Sequence, residues 1–502
     1  MKKILINYTP WQTRIAITRD DELQNIYFWS HATESLERSF FKGIITKILP
    51  GIQTAFVDIG QEKAGFLHIS EIDREMAAHK MGGSDLEEID EDETPVKDFS
   101  RHQMDISKIL NENEAILVQV AKEPISEKGA KLSTCFTLPG RFIVLMPNIP
   151  RIGISKKIED PEERLRLKTL VKDNLPEGMG AIIRTTSEHK TDSDILKDLQ
   201  YLVGTWDTIS TKYKTAEPKA KIYEDLPLSL QAVRDHLDND VEFVITDNKE
   251  NHSQIYKFVK SMSPEQAHKV VFYEGPPSLF EKYEIEQQIE QALQRKVNLK
   301  SGGSIVIETT EAMTVIDVNT GRYIGQSNLE DTIFKTNMEA AEEIVRQLRL
   351  RNIGGLIVID FIDMATGNAR QKLFRYLEKT LKERDKFQSV VLKVSEFGLV
   401  QMTRKRSGKT LARELTDTCK TCRGIGSVKS MQSESYEILN NLKQDLEKRT
   451  ISGSINLEVD PAVFNYITTI EYNAVLYLEK SYHCKITLVS KTQTDKSNYT
   501  VN

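Results

Sequence analysis

The segments EAMTVIDVNTGRYIG (residues 311–325) and GGLIVIDFIDM (residues 354–364), separated by one long helical pattern, decide the fold. Each contains an apolar strand that delivers a carboxylate, Asp317 in the first and Asp360 in the second. Side chains alternate along a strand, so Asp317 and Asn319 share a face. Residues 356–359 are apolar at every position, which predicts a central strand buried on both sides. A carboxylate closing such a strand stands where an α/β sheet opens to ligands.

Two carboxylates held close together repel, and a proton or a cation relieves the repulsion. A hard divalent ion such as Mg2+ takes oxygen ligands and keeps several waters for a substrate. Such a centre suits attack on a phosphodiester. The same residues also serve as ordinary strand caps or turn starters, and the pattern alone leaves both readings open.

TVIDVNT, the helix DTIFKTNMEAAEEIVRQLRLRN and GGLIVIDFIDM together resemble the catalytic core of the ribonuclease E/G family, and the likeness extends over most of the chain. The resemblance implies that Asp317 and Asp360 bind Mg2+ and that Asn319 helps to place the scissile phosphate. Glu311 and Asp363 fall at acidic positions of the same motifs and are secondary candidates; Asp363 equally fits a support for the strand end. The implied architecture is an α+β multidomain chain. A ribonuclease H-like subdomain is built from residues 1–35 and 230–291. An S1 (OB-type) barrel at 36–134 and a 5′-sensor region at 135–229 are inserted into it. A deoxyribonuclease I-like catalytic subdomain at 292–415, a zinc link at 416–429 and a small C-terminal oligomerisation domain at 430–502 follow.

A chain of 502 residues exceeds what one hydrophobic core organises. The net charge of −6 is not that of a typical nucleic-acid binder, but a local basic channel suffices for one. Much of the acidity sits in DLEEIDEDE (residues 85–93). With Gly82 and Gly83 it predicts a mobile, solvated insertion at 73–110, set off any phosphate-binding face; a regulatory role for it is the alternative. Four cysteines are too few for a disulfide scaffold at this length. The N-terminus reads as a strand rather than a signal peptide, and no stretch approaches a membrane span. The cytoplasm is the expected location.

Residues 38–72 alternate strand, Pro-Gly turn, strand, Gly turn and strand, the spacing of a small barrel. KGIITKILPG, AFVDIG and GFLHIS are similar to an S1 domain. Phe56 and Phe66 are candidates for stacking on unpaired bases, against the alternative of barrel core. His68 shares a face with Phe66 and fits a solvated strand histidine equally well. Lys128 matches an RNA-contacting lysine of the family; Lys122 and Lys131 are further basic candidates.

The resemblance also identifies a pocket for the RNA 5′ end. Arg184 and Thr185 match residues that hold a 5′-terminal monophosphate, and Gly140 and Val144 match its other wall. The chemistry suits the role, since a guanidinium forks onto phosphate oxygens and a hydroxyl adds a directed hydrogen bond. Without the family, Arg184 reads as a surface arginine. The helix 331–352 has Asp331 as its expected N-cap. Its basic end, Arg346, Arg349 and Arg351, suits the helix dipole or RNA phosphates. A second basic cluster, Arg404, Lys405 and Arg406, is expected near RNA.

TDTCKTCRGIG supplies only two thiolates, Cys419 and Cys422, whereas a structural zinc wants four ligands. Two chains contributing one pair each would complete a tetrahedral Zn2+ site, and the resemblance implies such a link between protomers. The expected assembly is a homodimer or a dimer of dimers. After residue 430 the pattern is an amphipathic helix and then β-α-β. The absence of a long polar tail favours the shorter, ribonuclease G-type branch of the family. The expected activity is Mg2+-dependent endonucleolytic cleavage of single-stranded RNA, with preference for 5′-monophosphorylated ends, in ribosomal RNA precursors and messenger RNA. A non-catalytic S1-type RNA-binding or ribosome-assembly factor is the alternative.

Overall fold

The computed structural model describes residues 1–32, 35–73, 105–124, 129–320, 329–395, 397–406, 408–448, 453–492 and 500–501. It divides into two compact units, Met1–Ala412 and Arg413–Asn502. Together they form a mixed α+β chain with a closed five-stranded barrel.

In the first unit, strands Lys2–Tyr8, Gln12–Arg19 and Glu22–Ser30 form an antiparallel meander. Val241–Thr246 and then Val270–Phe272 extend it in parallel on the Lys2–Tyr8 side. Segments 1–35 and 230–291 therefore share one sheet. Its core holds Ile4, Ile6, Ile15, Ile17, Val244 and Val259.

The barrel closes through Phe40–Leu49, Thr54–Asp58, Gly65–His68, Lys131–Ser133 and Ala115–Lys122, with the last strand returning to the first. Ala55, Val57, Leu67 and Leu132 point inward at period two. Of the segment read as the insertion, 73–110, residues 74–104, including the acidic run, lie outside the described residues. Its far end does not interrupt the barrel but completes it. Asp105 caps a one-turn helix, Ile106–Ile109, whose Ile106 and Ile109 are buried in the barrel core.

A four-stranded sheet (Leu138–Pro139, Ile143–Met146, Gly180–Ile183, Ile152–Ile154) follows. Helices Pro161–Asn174 and Asp192–Thr215 bury Leu167, Val171, Ile195 and Leu199 with it.

The sheet that carries the aspartates has six strands. In order they are Lys296–Asn298, Ser304–Thr309, Met313–Asn319, Gly355–Asp360, Leu399–Arg404 and Ser389–Val391. Only the central pair, Met313–Asn319 and Gly355–Asp360, is parallel. Helix Leu329–Leu350 makes the crossover that parallel pairing demands. It buries Ala340, Ala341, Ile344, Val345 and Leu348, a helical stripe free of Gly and Pro, against Ile316, Ile357 and Ile359. Helix Gly367–Arg384 adds Leu373, Leu377 and Leu381 to the same face.

Two expectations fail here. Asp331 is not the N-cap, because the helix begins at Leu329 and Asp331 lies in its first turn, where a carboxylate still meets the positive helix end. Nor is Gly355–Asp360 buried on both sides. It is central, but both helices cover one face. On the other, Leu356 is 41% exposed and Asp360 is exposed.

The second unit packs helix Met431–Glu447 with parallel strands Ser454–Val459 and Lys485–Ser490. Helices Pro461–Thr469 and Tyr472–Tyr482 connect those strands. Among the described residues no helix is long and apolar enough to cross a membrane.

Candidate active site

Asp317 and Asp360 are register partners on the parallel central strands. With Asn319 they occupy the sheet face that the helices leave open, and all three are exposed. Asn319 Nδ2 donates to Asp317 Oδ2 at 2.7 Å, which fixes the amide and leaves its oxygen free of that bond. The Asp360 carboxyl is held above its ordinary range by partial burial, by Asp317 and by Asp363. Repulsion between adjacent carboxylates is the condition that a bound cation relieves.

Asp363 is exposed in the loop after Asp360. Asn337, fully buried in the long helix, holds that loop from beneath. Its Nδ2 donates to Ile362 O at 2.8 Å, and Ile362 N donates to its Oδ1 at 3.1 Å. Gly398, at φ +75°, lets a neighbouring turn approach the same loop, since a Cβ there would meet Phe361 O at 2.9 Å. Asn337 was not among the residues singled out from the sequence. A polar amide among alanines and isoleucines was itself the signal. Glu311 is not brought to this site. It is exposed in the turn before Met313–Asn319, at the opposite end of that strand from Asp317.

Among the described residues, no three or more His, Cys, Asp or Glu side chains form a metal-holding group. The donor set at the pair is all oxygen: two carboxylates and the Asn319 amide oxygen. That set fits Mg2+, which uses one or two carboxylates and retains water, and does not fit a closed structural site.

On the barrel, Phe56 and Phe66 are cross-strand partners, both half-buried, while their neighbours Ala55, Val57 and Leu67 fill the core. The two rings therefore sit on the outer face of the barrel. His68 is engaged locally, its Nδ1 accepting from Ser70 N at 3.2 Å and lying 2.8 Å from Ser70 Oγ. Lys131, beside Phe66, is ion-paired with Glu71. Lys122 is exposed at its strand end, and Lys128 lies outside the described residues.

Arg184 follows strand Gly180–Ile183. Its Nη1 donates to Gly140 O at 2.6 Å and to Asp235 Oδ1 at 2.8 Å, so Arg184 and Gly140 are brought together. Thr185 is exposed, its hydroxyl 2.8 Å from Ser155 Oγ. Val144, on the adjoining strand, pairs with Ile182. A side chain at Gly140 would clash with Asp198, whose carboxylate accepts from the backbone N–H groups of Arg141, Phe142 and Ile143.

The basic clusters divide. Arg404 is not available to RNA. It is 2% exposed, with Nε and Nη2 on the Asp385 carboxylate at 2.6 and 3.0 Å and Nη1 on Ile353 O at 2.6 Å. The period of strand Leu399–Arg404 turns Val400, Met402 and Arg404 to the covered face. Lys405 and Arg406, past the strand end, are exposed. Arg346 pairs with Glu343, Arg349 donates to Asn25 Oδ1 at 2.6 Å, and Arg351 is buried on Gln347. These three tie the helix to its own turns and to strand Glu22–Ser30, not to solvent-borne phosphates.

In the second unit, Cys419 is exposed and Cys422 half-buried. The backbone N–H groups of Cys422 and Thr421 bond the Cys419 sulfur and lower its pKa, which favours the thiolate that metals require.

Against known proteins, residues 137–407 match the model of the "Ribonuclease E/G family", and residues 418–502 match "RNase E/G, Thioredoxin-like domain". Ribonuclease G of Haemophilus influenzae is 38% identical over 474 residues, covering 94% of this chain and 93% of that protein. Ribonuclease G of Salmonella typhimurium is 38% identical over 440 residues, 88% of this chain and 87% of its own. Ribonuclease E of Escherichia coli is 34% identical over 482 residues, 95% of this chain but 44% of that longer protein.

Proposed function

The chain belongs to the ribonuclease E/G family and is an endoribonuclease, and from that premise we propose that it cuts single-stranded RNA at a Mg2+ centre held by Asp317 and Asp360. The observation that carries the reading is the placement of these two carboxylates in register on one open face, with Asn319 tied to the first. A divalent cation held there would supply charge against the phosphate and lower the pKa of a water. The carboxylates orient the ion. Asn319, fixed through one Nδ2–H to Asp317, places a phosphate oxygen with its second Nδ2–H. Asn337 keeps the Asp360–Asp363 loop from drifting.

RNA is held in layers. Phe56 and Phe66 stack on unpaired bases, Lys122 and Lys128 follow the backbone, and Lys405 and Arg406 add charge beside the catalytic sheet. Arg184 and Thr185 read a 5′-monophosphate, with Gly140 and Val144 as the opposite wall. Sheet 1–35/230–291 acts as a ribonuclease H-like scaffold, and the catalytic sheet as a deoxyribonuclease I-like one. Cys419 and Cys422 of two protomers share Zn2+. The family setting points to ribosomal RNA 5′-end maturation and messenger RNA decay in the cytoplasm.

The test is cleavage of a short unpaired RNA with Mg2+, comparing wild type with Asp317→Asn and a 5′-monophosphate with a 5′-hydroxyl substrate. Wild type cuts, the variant binds without cutting, and the monophosphate is preferred. Binding without cleavage by both proteins would make the chain an RNA-binding factor instead.

A further inference from the structure

Arg184 carries both of its internal bonds on one nitrogen. Nη1 donates to Gly140 O at 2.6 Å and to Asp235 Oδ1 at 2.8 Å. Among the described residues no partner takes its Nε or Nη2, and the side chain is 25% exposed. Asp235 is itself held. Arg234 donates from Nε to Oδ1 at 3.3 Å and from Nη2 to Oδ2 at 3.2 Å. Arg234 is 3% exposed, and its Nη1 donates to Pro139 O at 3.0 Å and lies 3.7 Å from Asp225 Oδ1. The Asp235 backbone carbonyl accepts from Lys386 Nζ at 2.5 Å. Both Arg234 and Asp235 ride on helix Leu228–His236, an element remote in sequence from strand Gly180–Ile183, which Arg184 follows.

We propose that Asp235 is the positioning residue of the 5′-phosphate sensor, an inference that rests on Arg184 being the phosphate-binding residue. Asp235 takes Arg184 by Nη1 and turns the Nε–Nη2 edge outward as a two-pronged donor for a terminal phosphate monoester. A guanidinium is a planar fork, and with Nη1 committed the remaining edge matches two oxygens of one phosphate. Arg234 decides against the opposite role, in which Asp235 is an internal anion that phosphate displaces. The carboxylate is already neutralised by this second, buried arginine, and moving it would strip Nε and Nη2 of Arg234 of their acceptors in the interior, leaving only Nη1 engaged with Pro139 O and Asp225.

Steady-state cleavage by the full chain, on RNAs that differ only in a 5′-monophosphate or 5′-hydroxyl, tests this. Asp235→Ala raises KM for the monophosphate substrate about tenfold, the loss of one charge-assisted contact. Its kcat and its handling of the hydroxyl substrate stay at wild-type values. Asp235→Asn keeps an oxygen for Nη1 and falls between. Asp225→Asn perturbs Arg234 without touching Arg184 and keeps the full preference. A wild-type preference that survives in Asp235→Ala and Asp235→Asn overturns the inference alone. So does an equal loss on both substrates, which marks a scaffold role, or a fall in the monophosphate KM, which marks competition. A wild type indifferent to the 5′ end overturns the sensor reading and this inference with it.

Discussion

Asp317 and Asp360 face each other across the parallel pairing of the two central strands, so two acidic side chains share one patch of open sheet. The Asp360 carboxyl is raised by partial burial, Asp317 and Asp363. The folded, metal-free protein therefore holds that proton more tightly than the unfolded chain does. Its stability falls as pH rises from the ordinary carboxylate range through the raised value, and the penalty persists at neutral pH. Asp360→Asn removes the penalty. In EDTA the variant melts above wild type at pH 7, and the difference vanishes in acid. Mg2+ raises the Tm of wild type only. Cleavage by the variant drops at least about 100-fold, as losing the proposed metal contact demands. A variant no more stable than wild type in EDTA would show that the pair does not repel.

Phe56 and Phe66 are cross-strand neighbours on the outside of a barrel whose interior is filled by other residues. Replacing either by Ala leaves folding nearly intact but weakens single-stranded RNA binding by about 1–3 kcal/mol. Non-additivity is expected of the double variant, because the two residues are cross-strand partners. Fluorescence anisotropy with an unstructured oligonucleotide, alongside thermal melts, measures both effects. A large drop in Tm with unchanged affinity would return these rings to a structural role.

Arg404 and its exposed neighbours separate cleanly. Asp385→Ala leaves the Arg404 guanidinium uncompensated at a site where both side chains are under 3% exposed, and costs about 3–5 kcal/mol. Lys405→Ala and Arg406→Ala change stability by no more than about 0.5 kcal/mol. Each instead lowers the salt dependence of RNA binding, by about 0.7 in log–log slope for a single-strand phosphate contact. Denaturant melts and a salt titration distinguish the two classes.

The sequence was most legible where local period and burial agree. Alternation in TVIDVN put Asp317 and Asn319 on one face, and the long helical pattern of 331–352 announced the helix that buries Ala341, Ile344 and Leu348. It misled where a tertiary partner decides. The run RKR resembled one basic cluster, but strand period turns Arg404 inward onto Asp385, nineteen residues earlier, and that partner has no local signature. Residues 356–359 were apolar enough for burial on two faces. The number of helices above the sheet, rather than the strand, determined that only one face is covered. Asp235 was invisible because nothing in its own helix points to Arg184.

The Cys419–Cys422 pair carries two sulfurs, and the hydrogen bonds that lower the Cys419 thiol prepare it for a metal. The proposed sharing of Zn2+ between two chains predicts a species of twice 57.3 kDa that reverts to the single mass in a strong chelator or in Cys422→Ser. Light scattering with zinc analysis reads both. A dimer that survives zinc removal would place the interface elsewhere.

Asn337 is the most economical test of how the catalytic sheet is supported. It lies far inside the long helix, fully buried, and spends both ends of its amide on the backbone of Ile362, two residues past Asp360. Asn337→Leu keeps the volume but strands an N–H and a carbonyl in the interior, at about 1–3 kcal/mol for each unsatisfied group. Asn337→Asp retains the acceptor for Ile362 N but loses the donor to Ile362 O and buries a charge. Both variants lower Tm. The mechanistic expectation is narrower: the loop that carries Asp363 shifts relative to Asp360, so the Mg2+ concentration for half-maximal cleavage rises several-fold while RNA affinity stays put. If the Tm drops but the Mg2+ dependence is unchanged, the Asn337 bonds stabilise the fold without positioning the carboxylates.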